Sequence, residues 1–192
     1  MDEIADKKLL HTAKVHKNLA NQRSNCYYRR EMKAILSLKD ICRLESYLPT
    51  DTASLALWNS GNEGEHVEIE TGSDGNFKVI TYFNQDISPE DKALVYKAEK
   101  GIRLTVSGPV YSGSAEWMKV NPDAALQKNL IDCLEIPAGN YIADIYSLLI
   151  KNPEGKPKYI QFVYCIFPEN KYTAADVTPH TVTQALVLKY QG

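Results

Sequence analysis

The chain has 192 residues, a hydrophobic fraction of 44%, a charged fraction of 24% and a formal net charge of −2 at pH 7. This composition is typical of a globular protein, and it excludes the intrinsically disordered and fibrous classes. The length allows one large hydrophobic core but not two, so we expect one principal domain.

The N-terminal residues contain only the apolar pair Leu9–Leu10, where a secretory signal needs a longer apolar run. No later stretch reaches the length of a membrane span. The sequence therefore predicts a cytoplasmic protein without a membrane partner.

The first quarter of the chain is basic, because residues 1–50 hold ten Lys or Arg and six Asp or Glu, which leaves −6 for the remainder. Apolar residues recur at roughly helical spacing from Ile4 to Leu19 and again from Met32 to Leu48, where Pro49 ends the pattern. This pattern predicts a basic helical N-terminal segment over residues 1–49.

Within this segment, Tyr27, Tyr28, Arg29 and Arg30 place two aromatic rings beside two guanidinium groups. Stacking and phosphate contacts use these residue types, so the four side chains are candidates for contact with nucleic acid. A contact between helices explains the same residues, and a neighbouring subunit is a third possible partner of the segment.

After Pro49 the apolar period changes from about 3.6 to 2, which is typical of β-strands. Residues 66–71 and 77–83 alternate cleanly around the turn Gly72–Gly75 and predict a β-hairpin. Further strands are predicted over residues 130–136, 141–150, 159–167 and 182–190. The chain is therefore predicted to be mainly β, an antiparallel β-sandwich of about eight or nine strands over residues 50–192, preceded by the helical segment.

The sequence contains no motif for a metal or a cofactor, and we predict neither. The cysteines have no CxxC spacing, and the closest histidines, His11 and His16, are five residues apart rather than three or four. No GxSxG sequence is present, which argues against the best-known setting of a nucleophilic serine. We therefore expect a protein that is not an enzyme.

Two carboxylates keep an enzymatic alternative open. Asp132 and Asp144 lie in neighbouring predicted strands, and pairing of those strands across Pro137–Asn140 would place the two side chains nearly opposite each other. Paired carboxylates are the machinery of glycoside hydrolysis. The alternative functions are thus a carbohydrate-active hydrolase, or a structural or regulatory assembly component with a basic N-terminal arm.

Residues 134–146, LEIPAGNYIADIY, followed by YIQF at residues 159–162, resemble the paired strands of small bacterial β-sandwich proteins of the competence protein J type. They are also similar to some toxin-immunity proteins. The resemblance implies a bacterial, non-enzymatic protein that binds and occludes a partner nuclease or toxin, as an inhibitor or immunity protein does.

Tyrosine is unusually common, with twelve tyrosines against four phenylalanines. Because tyrosine offers a large contact area and a polar tip, this ratio favours a protein-binding surface. The candidate partner-binding residues are Trp117, Asp132, Asp144, Tyr146 and Tyr164.

Overall fold

A computed structural model describes residues 42–60, 66–134 and 136–191 of the chain. Over these residues the protein is mainly β. In chain order the strands are β1 (Cys42–Thr50), β2 (Ser54–Asn59), β3 (His66–Glu70), β4 (Gly75–Phe83), β5 (Val95–Val106), β6 (Val110–Ser114), β7 (Ile131–Leu134), β8 (Gly139–Lys151), β9 (Pro157–Pro168) and β10 (Leu186–Val187).

The described residues include three short α-helices between strands, α1 (Pro89–Lys92), α2 (Ala115–Val120) and α3 (Pro122–Gln127), and a 3-10 helix at Glu169–Lys171. Helix α1 begins where the sequence has a capping signal, since the Ser88 hydroxyl accepts a hydrogen bond of 3.1 Å from the Asp91 amide. Proline occupies the first helical position, as its fixed φ favours.

The strands form two five-stranded sheets. The first sheet has the order β1-β4-β9-β8-β5 and the second has the order β10-β3-β2-β6-β7. Strand pairs β4/β9 and β10/β3 are parallel, and the other neighbouring pairs are antiparallel. Both sheets are therefore mixed.

A central core lies between the two sheets. Leu55 and Ile69 from the second sheet pack in it with Ile102, Phe162 and Ile166 from the first, and each of these side chains is 0% exposed. The predicted sandwich is thus confirmed, with ten strands in place of the eight or nine expected and with two parallel pairs.

Each sheet also has a covered outer face. On the first sheet, Tyr146, Val163 and Cys165 pack with Ile87 from the segment that precedes β5. On the second sheet, helices α2 and α3 contribute Met118 and Ala125 to a cluster that includes Tyr111. Burial on both faces explains why β8 and β9 are almost continuously apolar in sequence.

The hairpin predicted for residues 66–83 is wrong. Strand β3 pairs with β2 and β10 in the second sheet, while β4 pairs with β1 and β9 in the first. The segment between them crosses from one layer to the other, and the inward residues of both strands meet in the central core. Alternation is the same for a hairpin and for such a crossing, so the pattern alone does not separate them.

The helical prediction is also wrong for its last residues, because Cys42–Thr50 form β1, which pairs with β4 along its whole length. The alternation of exposed Tyr47 with buried Leu48 follows the strand period. The rest of the predicted helical segment lies outside the described residues, and the division into residues 1–49 and 50–192 stays a prediction.

Candidate functional site

Three of the candidate partner-binding residues are buried within the isolated chain. Tyr164 is 0% exposed in the central core, and Asp144 and Tyr146 are 3% and 5% exposed under the outer cover of the first sheet. Burial raises the pKa of Tyr164, and the nearby Ser112 hydroxyl of the second sheet partly opposes that increase. Contact of these residues with a partner stays a prediction.

The Asp144 carboxylate holds a small hydrogen-bond network together. Its Oδ1 accepts from the Gly101 amide at 2.8 Å and from the Tyr172 hydroxyl at 2.9 Å, and its Oδ2 accepts from the Tyr146 hydroxyl at 3.3 Å. Gly101 lies in the irregular part of β5 and has a φ of +75°. Asp144 therefore joins β8, the irregularity of β5 and the segment after β9.

The electrostatics of this network follow from its burial. The pKa of the Tyr146 hydroxyl is raised first by burial and then by the negative charge of Asp144. The pKa of Tyr172 is raised first by burial, then by its hydrogen bond to Asp144 and by the negative charge of that residue. Both phenols are thereby kept as hydrogen-bond donors to the carboxylate.

Asp132 lies in a different environment from Asp144. It is partly buried in β7, opposite Ser112 of β6, and belongs to the second sheet. Burial raises the pKa of Asp132, and a hydrogen bond with the Ser46 side chain partly opposes the increase. The carboxyl group lies where edge strand β1 of one sheet approaches edge strand β7 of the other.

The predicted pairing of Asp132 with Asp144 is wrong. Strands β7 and β8 do not pair with each other, because the chain passes from the second sheet to the first between them. Asp132 lies on the same face of β7 as Leu134, which packs in the central core, whereas Asp144 lies on the outer face of the first sheet. The paired-carboxylate alternative therefore has no geometric basis in this fold.

Trp117 lies in α2, partly buried against the outer cluster of the second sheet. Its contact with a partner also stays a prediction. The four candidates for nucleic-acid contact lie outside the described residues: Tyr27, Tyr28, Arg29 and Arg30. Their contact with nucleic acid stays a prediction.

Two kinds of feature are absent from the described residues. No helix in that part of the chain is both long enough and apolar enough to cross a membrane. A group of three or more His, Cys, Asp or Glu side chains able to hold a metal ion is not found there either.

A surface that the sequence did not point to lies at the edge formed by β5 and β10 and extends to the start of β9. Large apolar side chains are exposed here by 37–46%. We call this the tyrosine surface, and its members are Leu94, Tyr96, Tyr159, Val187 and Tyr190.

Direct contacts connect the two strands at this edge. The rings of Tyr96 and Tyr190 meet edge to face with their centroids 5.4 Å apart. The Lys97 ammonium donates a 3.5 Å hydrogen bond to the Val187 carbonyl, and its nitrogen lies 5.7 Å from the centroid of the Tyr96 ring. These contacts join Tyr96, Val187 and Tyr190 into one surface.

The tyrosine surface borders an open groove of about 450 Å³. Phe77, Leu149 and Ile160 give it an apolar lining, and Tyr159 and Tyr190 lie at it as well. Pockets that hold small-molecule ligands have volumes on the order of 300–1,000 Å³. The groove is therefore large enough to accept a group from another molecule.

Residues 71–73 form one wall of the groove, and glycine is required within that wall. Gly72 has a φ of +87°, and a Cβ there would lie 2.7 Å from the Cβ of Lys189. The Lys189 ammonium is also 2.9 Å from Glu70 Oε2. The segment after β10 is thus packed closely against the end of β3, which places Tyr190 at the groove.

Sequence reasoning missed this surface because it chose tyrosines from the most apolar strands, and those tyrosines are buried. The excess of tyrosine over phenylalanine was a valid signal. A better guide was local composition, since Tyr96 is flanked by Lys97, and Tyr159 by Lys158, in stretches where polar residues indicate exposure.

Two solved structures are similar to this chain. One is described as "Crocagin biosynthetic gene J", with 13% identity, a TM-score of 0.46, and coverage of 68% of this chain and 99% of that chain. The other is ComJ from Bacillus subtilis, described as an inhibitor of the DNA degrading activity of NucA, with 7% identity, a TM-score of 0.47, and coverage of 67% and 98%. The resemblance expected from residues 134–162 is confirmed as a weak structural likeness, which says nothing about a shared function. No protein-family model and no curated protein sequence matches the chain.

Proposed function

We propose that this chain is a protein-binding module and that the tyrosine surface is its contact site. The observation that carries the proposal is a group of three exposed tyrosines: Tyr159 and Tyr190 line an open apolar groove, and Tyr96 packs against Tyr190. Exposed apolar surface is costly unless a partner covers it, and tyrosine is enriched among the residues that dominate binding energy.

The finer part of the proposal is that the partner is a nuclease or a toxin, which this chain inhibits by occlusion. It rests on the sequence resemblance of residues 134–162 to the competence protein J type and to toxin-immunity proteins. On this proposal the chain itself performs no chemistry.

The contact site is tested in two stages. A photo-crosslinking amino acid introduced at Tyr96 in the native host identifies the protein that lies against the surface, and binding is then measured with both purified proteins by calorimetry. Tyr96→Ala and Tyr190→Ala are each expected to weaken binding by about tenfold to thirtyfold, as for a central aromatic contact.

Tyr47→Ala is the matched control, because Tyr47 is 57% exposed on β1, an edge strand at the opposite end of the first sheet. It should bind within about twofold of the unmodified protein. Binding within twofold for both tyrosine-surface variants would refute the contact site. Adding the purified chain to its partner in equimolar amount then tests inhibition, since full partner activity would refute the finer proposal.

A further inference from the structure

The groove beside the tyrosine surface offers hydrogen-bond donors at its edge. Lys158 is the charged residue of its lining, and its ammonium nitrogen lies 5.7 Å from the centroid of the Tyr159 ring. None of the ion pairs among the described residues includes Lys158. This cation is therefore available to a group that enters from outside.

The Tyr159 hydroxyl is a second donor among the residues that line the groove. It accepts a 3.3 Å hydrogen bond from the Gln161 side-chain amide. A phenol that accepts in this way keeps its own proton to donate. An ammonium and a phenol O–H side by side form a pair of donors, and a carboxylate is the acceptor that such a pair favours.

Charges around the groove point the same way. Residues 151–158, which run from the end of β8 to the start of β9, carry Lys151, Lys156 and Lys158 against one acid, Glu154. Next to the wall formed by residues 71–73, Lys189 is neutralised by its ion pair with Glu70, and Asp74 follows that wall in sequence. The side of the groove that holds Lys158 is therefore positive.

We infer that the groove binds an extended, acidic peptide segment of the partner protein. An apolar side chain of that segment enters the lining formed by Phe77, Leu149 and Ile160, and a neighbouring Asp or Glu carboxylate accepts hydrogen bonds from Lys158 and Tyr159. The inference rests on the proposed function, because it names the chemistry that the same surface recognises.

The test uses the full chain and synthetic peptides with blocked ends, so that only side-chain carboxylates are present. The probe has a central phenylalanine with an aspartate and a glutamate on each side. One matched peptide carries Asn and Gln in place of the acids, and another carries Ala in place of the phenylalanine. Fluorescence anisotropy measures the dissociation constants.

The acidic peptide with phenylalanine should bind at least about fivefold more tightly than either matched peptide. Lys158→Gln should remove about fivefold of its affinity, and Tyr159→Phe about threefold, because each change deletes one donor and leaves the apolar lining intact. Lys128→Gln is the control, since Lys128 follows α3 on the second sheet. It should leave binding unchanged.

Equal binding of the acidic and amide peptides would overturn the inference, and so would an absence of binding up to about 1 mM. These outcomes are separate from those of the proposed function. If partner binding depends on Tyr96 but no acidic peptide binds, the tyrosine surface stands and the acidic segment is refuted. If the peptides bind as expected but partner binding ignores Tyr96 and Tyr190, the contact site for the protein partner is refuted.

Discussion

Removal of the Asp144 carboxylate is expected to destabilise the fold strongly. Asp144 is 3% exposed and accepts hydrogen bonds from the Gly101 amide and from the hydroxyls of Tyr146 and Tyr172. In Asp144→Ala the first two donors stay buried without an acceptor, while Tyr172 is partly exposed and can reach water. Each buried donor without an acceptor costs about 1–3 kcal/mol, so the free energy of unfolding should fall by about 4 kcal/mol.

Urea unfolding followed by circular dichroism measures this change. The free energy of unfolding of a native protein is about 5–15 kcal/mol, so Asp144→Ala is close to the limit of folding. Asp144→Asn therefore provides a second, milder variant. An asparagine oxygen in the place of Oδ1 keeps the bonds from Gly101 and Tyr172, so this variant should lose only about 1–2 kcal/mol.

The control is Asp176→Asn, since Asp176 is exposed. It should change the free energy of unfolding by less than about 0.5 kcal/mol. A loss below about 1 kcal/mol in Asp144→Ala would refute the reasoning, because it would mean that the three donors find other acceptors.

Three further predictions concern single groups. Burial raises the pKa of Tyr146, so above about pH 10 the unfolded chain releases a proton that the folded chain keeps, and the free energy of unfolding falls by up to about 1.4 kcal/mol per pH unit. Urea unfolding at several pH values should show a smaller fall for Tyr146→Phe, and an unchanged slope would contradict this prediction. Burial raises the pKa of the Cys165 thiol to about 12, so in the native protein iodoacetamide should modify the partly exposed Cys133 at least about a hundredfold faster than Cys165. Mass spectrometry measures both rates, and equal rates would contradict the burial of Cys165. Gly72→Ala should lower the free energy of unfolding by about 1–3 kcal/mol, through backbone strain and through contact of the new Cβ with Lys189. Gly155 has a φ of +78° and no atom within 4 Å of a Cβ there, so Gly155→Ala measures the strain alone, and equal losses in the two variants would show that the Lys189 contact contributes nothing.

The sequence predicted the architecture where local pattern decides it. The long apolar strands β8 and β9 occur close to residues 141–150 and 159–167, as expected, and they pair with each other. The capping signal at Ser88 also produced a helical turn. In both places the structure depends on residues that are close in sequence, namely a short connection between strands and a helix cap, so no distant contact is needed to form it.

Prediction failed where contacts distant in sequence decide the pairing. An apolar pattern runs from residue 182 to 190, but strand β10 contains only Leu186 and Val187. These are the two residues that pair in parallel with Ile69 and Glu70 of β3. The candidate site failed for a related reason. Whether Tyr164 or Tyr159 faces solvent depends on which strand end a second sheet covers, and the period of a single strand does not contain that information.

The strand order has a consequence for how this protein folds. From β1 to β10, successive groups of strands alternate between the first and second sheets, so this described part of the chain passes between the layers five times. Neither sheet is complete until residues from both halves of the chain have met, as the parallel pairing of Val79 with Phe162 shows. Contacts between distant residues slow folding because loop closure must precede them. We therefore expect slow folding in which the two sheets form together, with no intermediate that contains one finished sheet.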